Sequence, residues 1–234
     1  MSRTFMSVTA IIPAAGQGTR MGATLPKSLI PIAGVPLVIH TLRRFDAAPS
    51  IDEVVIVASR QVMEQLPELL ESYGIEKVTT VVLGGKERQD SVRIGFENCD
   101  ADNCDVVVVH DAARPLVTPE EIDAVVTAAR ESGAAILGAP LKETIKQVTG
   151  ETIDKTIDRS LLWGAQTPQA FRYEIFARAV SESVSAEFLG TDEASIVERI
   201  GIPVTMVRGS YRNIKVTTQE DADIAAMWLA KEML

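Results

Sequence analysis

Apolar residues fall in short unbroken blocks, separated by longer segments where they recur at helical spacing. The blocks are residues 8–12, 54–57, 78–83, 106–109, 134–139 and 204–207, most of them rich in Val. Short apolar, β-branched runs of this kind predict parallel strands buried on both faces. Between them, Val38, Leu42 and Phe45 share one helical face, as do Ile224 and Trp228 in the last segment. Thr118-Pro119-Glu120-Glu121 supplies an N-cap, a proline at the first helical position and a capping-box acid, and so opens another helix. The alternation predicts an α/β fold: a doubly wound, mostly parallel sheet with helices on both faces.

Residues 141–158 break that rhythm. Thr144-Ile145-Lys146-Gln147-Val148-Thr149-Gly150 and the residues after it alternate polar with β-branched positions around a glycine. This predicts a hairpin with one polar face. No helix separates it from the strand before it, so it projects as an arm, residues 141–160, from a single domain spanning 1–234. Two strands alone are marginal in water. A partner subunit covering their edges would make the chain a homodimer; the other reading packs the hairpin on its own domain.

The bulk chemistry narrows the function. The 234 residues carry 23 Lys and Arg against 32 Asp and Glu, a net charge of −9. Nonspecific nucleic-acid binding is excluded on that balance, and the cations that matter should be local and aimed at small anions. Cys99 and Cys104 lack metal-type spacing, which suits a reducing compartment. No apolar run reaches membrane-spanning length and the N-terminus has no signal-peptide pattern, so the expected location is cytoplasmic.

Against this background Pro13-Ala14-Ala15-Gly16-Gln17-Gly18-Thr19-Arg20-Met21, followed by Pro26-Lys27, stands out. Tiny side chains after a first strand let backbone N–H groups reach an anion, and Arg20 and Lys27 can neutralise it. A Walker loop is excluded, because Met21 and Pro26 occupy its two glycine positions. The dinucleotide fingerprint fails at Met21 and lacks the acidic residue after the second strand. Further along, His110-Asp111-Ala112-Ala113-Arg114-Pro115 follows the valine block. Asp111 can hold Mg²⁺ while Arg114 takes a phosphate, or the two can form a simple turn pair. After Gly84-Gly85, Ser91 can bond a base or cap a helix. Thr191 reads most simply as an N-cap. Asp158-Arg159 closes the arm, Gln166-Thr167-Pro168-Gln169 follows an apolar triplet, and Lys215 follows the last strand.

Taken together and in order, these motifs resemble the 2-C-methyl-D-erythritol 4-phosphate cytidylyltransferase family across nearly the whole chain. The carriers are Ala14-Ala15-Gly16-Gln17-Gly18 with Arg20-Met21, the 110–115 motif, Gln166 to Gln169, Thr191-Asp192-Glu193-Ala194-Ser195 and Asn213-Ile214-Lys215-Val216-Thr217. The resemblance implies a Rossmann-like nucleotidyltransferase fold. It further implies that Ala14, Ala15, Gly16, Gln17 and Gly18 wrap the CTP phosphates, with Arg20 and Lys27 on the triphosphate. Gly84, Gly85 and Ser91 would read cytosine, Ala113 would lie near the nucleotide, and Asp111 would help hold Mg²⁺. Arg114, Thr191 and Lys215 would grip methylerythritol phosphate with Thr167, Thr144 and Arg159, the last two supplied by the partner's arm. Arg159 and Lys215 would aim its phosphate for attack. Lys86 departs from the acidic residue expected after the glycines, and Ser28-Leu29 from the usual Gln-Tyr/Phe. Two alternatives are a ribitol 5-phosphate cytidylyltransferase and a catalytically silent nucleotide-binding module. Ala15-Gly16 and Ala112-Ala113-Arg114 favour the methylerythritol family over the first, and both cations with Asp111 and Lys215 speak against the second.

Overall fold

The computed structural model describes residues 7–16 and 25–232. The strands are β1 (Ser7–Ala14), β2 (Pro31–Ile32), β3 (Val35–Pro36), β4 (Glu53–Ala58), β5 (Val78–Leu83), β6 (Cys104–Val109), β7 (Ala134–Pro140), β8 (Ile145–Thr149), β9 (Thr152–Ile157), β10 (Trp163–Arg172) and β11 (Thr205–Arg208). The helices are α1 (Leu37–Ala47), α2 (Arg60–Tyr73), α3 (Arg88–Glu97), α4 (Pro119–Ser132), α5 (Tyr173–Ser185), α6 (Glu193–Arg199) and α7 (Gln219–Glu232). Seven strands form the central sheet in the order β11-β7-β10-β6-β1-β4-β5.

The continuous apolar blocks exist because both faces of this sheet are covered. Val106 and Val108 of β6 join one core with Phe45 of α1, Val125 of α4 and Ile56 of β4. Val107 and Val109 join a second core on the other face with Val92 of α3 and Phe176 of α5. Period-two geometry sends alternate valines to opposite faces, and each face meets helices. The expected doubly wound, mostly parallel sheet is thus the observed one. Thr118 caps α4 as expected: its hydroxyl accepts from the Glu121 N–H at 3.2 Å and the Glu121 carboxylate accepts from the Thr118 N–H at 3.0 Å.

Two elements depart from expectation. β10 was not expected as a strand, yet it lies antiparallel between β6 and β7. Gly164, two glutamines and Pro168 hide it, and its register against β7 shifts between Ala165 and Gln169, where proline offers no N–H to a ladder. In α7 the buried stripe is Ala222, Ala225 and Leu229, while Ile224 is exposed and Trp228 only half-buried. Trp228 is overlaid by the Arg212 and Lys231 cations, so its ring serves charged neighbours as well as the core.

The hairpin predicted around Gly150 is β8–β9, paired only with itself in the sheet and turning where Gly150 takes φ 58°. Both of its faces are open, not the polar one alone, and Val148 and Ile153 are more than half exposed. It grows from the end of the β7–β10 ribbon, where Trp163 pairs with Pro140 and the Leu141 N–H donates to Leu162 O. No helix among the described residues is long and apolar enough to cross a membrane.

Candidate active site

At the carboxyl ends of β1, β5 and β6 a cleft of about 310 Å³ opens, the place where open parallel sheets bind ligands. β1 delivers Ala14, Ala15 and Gly16 to its floor. Ser28, buried, donates to Ala14 O at 3.1 Å, and the Lys27 N–H reaches Gly16 O at 3.4 Å. These contacts fold the chain back so that Lys27 lines the same cleft. Of the two residues that depart from the family pattern, Leu29 packs in the core, whereas buried Ser28 lines the cleft. The expected sites Gln17, Gly18 and Arg20 lie outside the described residues.

The second wall comes from the turn after β5. A Cβ on Gly84 would stand 2.7 Å from the Ala15 Cβ, and one on Gly85 would stand 2.4 Å from the Asp90 Cβ. Only glycine permits both approaches. Gly85 lines the cleft, whereas Gly84 packs under Ala15 and supports it. Ser91 is not a cap: α3 starts at Arg88 with Glu87 as its N-cap. Its buried hydroxyl accepts the Gly85 N–H at 3.1 Å and donates to Glu87 O at 3.2 Å, so it fixes the shape of the glycine turn. Lys86, exposed, stands at the cleft's mouth.

A charge cluster centred on Asp111 lines the same cleft. Its Oδ1 accepts from Arg88 Nε at 2.9 Å; its Oδ2 meets Lys215 Nζ at 2.8 Å and Arg114 Nε at 3.7 Å. Burial opposes the charge, but these cations hold the carboxyl well below the usual carboxylate range. Arg88 also grips Glu193 with two bonds of 2.6 and 3.1 Å. Burial weakens the Arg88 charge, yet Glu193 and Asp111 more than offset it and raise its pKa above the ordinary value. Burial pushes the Glu193 carboxyl up against the pull of Arg88. The turn-pair reading of Asp111 and Arg114 is observed, since the Arg114 N–H closes a turn on Asp111 O at 3.0 Å. Arg114 in turn donates to Asn213 O at 2.7 Å.

His110 sets the base of the cluster. Its Nε2 lies 3.1 Å from Arg114 O, a carbonyl that can only accept, so that nitrogen carries the proton. Thr167, buried, accepts the Asp111 N–H and gives its own proton to His110 Nδ1 at 3.0 Å. Burial lowers the His110 pKa to about 3, keeping the ring neutral. Thr167 therefore stands behind Asp111 instead of on the cleft wall.

The remaining expected residues lie outside this cleft. Thr191 is exposed and is not an N-cap; Asp192 caps α6, accepting the Ser195 N–H at 3.0 Å. A second cleft of about 410 Å³ adjoins the first, with Lys215 lining both and Arg114, Lys142 and Asn213 lining the second. Thr144 and Arg159 are exposed at the arm's root and line neither cleft of their own chain. Arg159 donates to Lys142 O. The sequence singled out neither Arg88 nor Glu193. Arg88 stood in view beside the paired glycines, but nothing local points it at a residue 105 positions away.

Among the described residues no group of three or more His, Cys, Asp or Glu could hold a metal ion. Both oxygens of Asp111 already meet cations, so the residue could give a Mg²⁺ at most one protein ligand, the others coming from phosphate oxygens. No Ser–His or Cys–His pair suited to a covalent intermediate is present at the cleft among those residues.

A backbone-lined cleft at a parallel sheet's carboxyl edge, flanked by lysines and arginines, defines a nucleotide-binding transferase of the nucleotidyltransferase class. The model of the 2-C-methyl-D-erythritol 4-phosphate cytidylyltransferase (IspD) family matches residues 8–231, and the chain belongs to that family. The enzyme of that name from Syntrophotalea carbinolica is 47% identical over 228 residues, covering 96% of this chain and 97% of its own. The one from Bacillus velezensis is 45% identical, covering 92% and 93%. Among solved structures, the 4-diphosphocytidyl-2C-methyl-D-erythritol synthase from Anaerococcus prevotii superposes with TM-score 0.85 at 28% identity, covering 98% of this chain and all of its own.

Proposed function

We propose that the chain transfers CMP from CTP to 2-C-methyl-D-erythritol 4-phosphate, giving 4-diphosphocytidyl-2-C-methyl-D-erythritol and pyrophosphate. The observation that carries this reading is the convergence of Lys27, Lys215 and the Asp111 cluster on one cleft whose floor is backbone, in a chain matched to the family over residues 8–231. The acceptor phosphate oxygen is already a nucleophile, so the chemistry needs positioning and charge neutralisation. The obstacle is repulsion between a phosphate and a triphosphate.

In this reading Ala14, Ala15 and Gly16 hold phosphate oxygens through the backbone, with Gln17, Gly18 and Arg20 continuing that loop. Gly85 and Ser91 shape the base pocket, Gly84 supports it, and Ala113 borders the nucleotide. Lys27 neutralises charge growing at the α-phosphorus. Lys215 and Arg114 face the second cleft and bind the acceptor phosphate there; Thr191 joins them from the loop before α6, and Thr167 fixes Asp111 from behind. Asp111 would be the protein's ligand to Mg²⁺, which supplies further neutralisation of the phosphates when bound. Thr144 and Arg159 serve the site of a second copy, which makes the working unit a homodimer joined through the arm. Their absence from both clefts of their own chain supports this. The buried, unpaired thiols of Cys99 and Cys104 support a cytoplasmic location.

The test is pyrophosphate release with CTP and Mg²⁺, offering methylerythritol 4-phosphate or ribitol 5-phosphate. Strong preference for the first is expected. Preference for the second would overturn the acceptor and keep the mechanism; silence with both would overturn the function.

A further inference from the structure

Residues 188–194 carry the exposed Thr191, and side chains from two other elements hold them from behind. Gln89, in the first turn of α3, donates from Nε2 to Phe188 O at 2.9 Å and accepts the Gly190 N–H at 2.7 Å. Its neighbour Arg88 makes the paired bonds to Glu193. From β10, Gln169 donates to Asp192 Oδ2 and accepts the Ala194 N–H, both at 2.9 Å. The segment also lies close on α6, since a Cβ on Gly190 would stand 2.5 Å from Ser195 Oγ.

Gln89 differs from the other two. Both ends of its amide are bonded to backbone groups of one loop, and such a pair fixes orientation as well as distance. The same turn of α3 holds the nucleotide wall, where Ser91 takes the Gly85 N–H. One rigid element therefore touches the glycine turn on one side and the Thr191 loop on the other. We infer that Gln89 is a positioning residue that ties the Thr191 loop to the nucleotide wall and so sets the acceptor's place relative to CTP. This rests on the reading of Thr191 as an acceptor contact.

The test is steady-state kinetics with CTP and methylerythritol 4-phosphate on the wild type, Gln89→Met, Gln89→Ala, Thr191→Val and the Gln89→Met/Thr191→Val double variant. Gln89→Met keeps the side-chain volume, so loss of the amide is read without a cavity, and Gln89→Ala is the second route should methionine fold poorly. Losing both bonds should raise the acceptor KM about tenfold and leave the CTP KM within about twofold. In the double variant the acceptor KM should equal that of Thr191→Val alone, because Gln89 then has nothing left to position. An unchanged acceptor KM, a parallel rise in both KM values, or multiplying penalties in the double variant overturns the inference. A wild-type acceptor KM in Thr191→Val overturns the acceptor role of Thr191, and the inference with it. No turnover by the wild type overturns the proposed function itself.

Discussion

On the side of the cleft proposed for the nucleotide, Ala14–Gly16, Gly84 and Gly85 are placed by sheet pairing and close backbone packing, whereas the opposite side is held by long polar side chains. The bonds on the first side are local: Ser91 to Gly85 spans six residues and Ser28 to Ala14 spans 14. Those on the second are distant: Arg88 to Glu193 spans 105, Gly190 to Gln89 spans 101 and Arg114 to Asn213 spans 99. A wall made of backbone tolerates change only in side-chain size. A wall made of tethers depends on every charge and amide being in its intended state.

That contrast has measurable edges, and the largest concerns the tethered side in acid. His110 is neutral when folded, with a pKa of about 3, against 6.5 for the free group. The unfolded chain thus binds the extra proton between those values, and stability falls as pH drops from 6.5 toward 3, by on the order of 4 kcal/mol in all. Asp111, held below its ordinary 3.8 by its cations, adds loss in the same direction at lower pH. Urea unfolding at pH 7.5, 5.5 and 4.5 should show this slope, and His110→Gln should flatten it; equal slopes in both would remove His110 as the cause.

Next in size is Lys27→Ala. It should lower kcat by roughly 10²–10³, the loss typical of a preorganised electrostatic group. An almost unchanged kcat would take Lys27 out of the chemistry. Smaller again is Gly85→Ala, whose added methyl meets Asp90 at 2.4 Å. It should cost about 1–3 kcal/mol of stability and weaken CTP before the acceptor, measured by melting and by the two KM values. An acceptor-first defect would break the division between the walls.

The smallest effect on folding is expected in the arm. Val148 and Ile153 are exposed, so replacing both with Ser should change the stability of the monomer by less than about 0.5 kcal/mol. The same variant should weaken self-association, seen by sedimentation. A variant that stays as tight a dimer would show that the arm is not the principal interface. Mixing Arg159→Ala chains with Lys27→Ala chains should restore one site per mixed dimer; no gain over the parents despite proven mixing would break the shared site.

Legibility follows the same division. The four valines of β6, the capping box at Thr118 and the turn at Gly150 are local patterns, and each appears in the fold as read. β10 escaped because Gly164 and Pro168 are poor strand residues, and its antiparallel place is fixed by neighbours far away in sequence. Ile224 misled because spacing alone cannot choose between two faces when alanines fill the tighter one. At the site, Lys27, Asp111 and Lys215 announced themselves as charges beside glycine or strand ends. Arg88, Glu193 and Gln89 did not, because their meaning lies in partners about a hundred residues away.

The antiparallel insertion of β10 also bears on the order in which the chain can be completed. β6 and β7 both precede β10, the strand that separates them, and β11, the other neighbour of β7, comes later still. No sheet partner of β7 precedes the arm in the chain, and β10 is the strand that joins it to β6. The arm is thus the tip of the ribbon whose return strand joins β7 to the rest of the sheet. Because β8 and β9 pair only with each other, the arm can change in length without altering the register of β10 against β6 and β7.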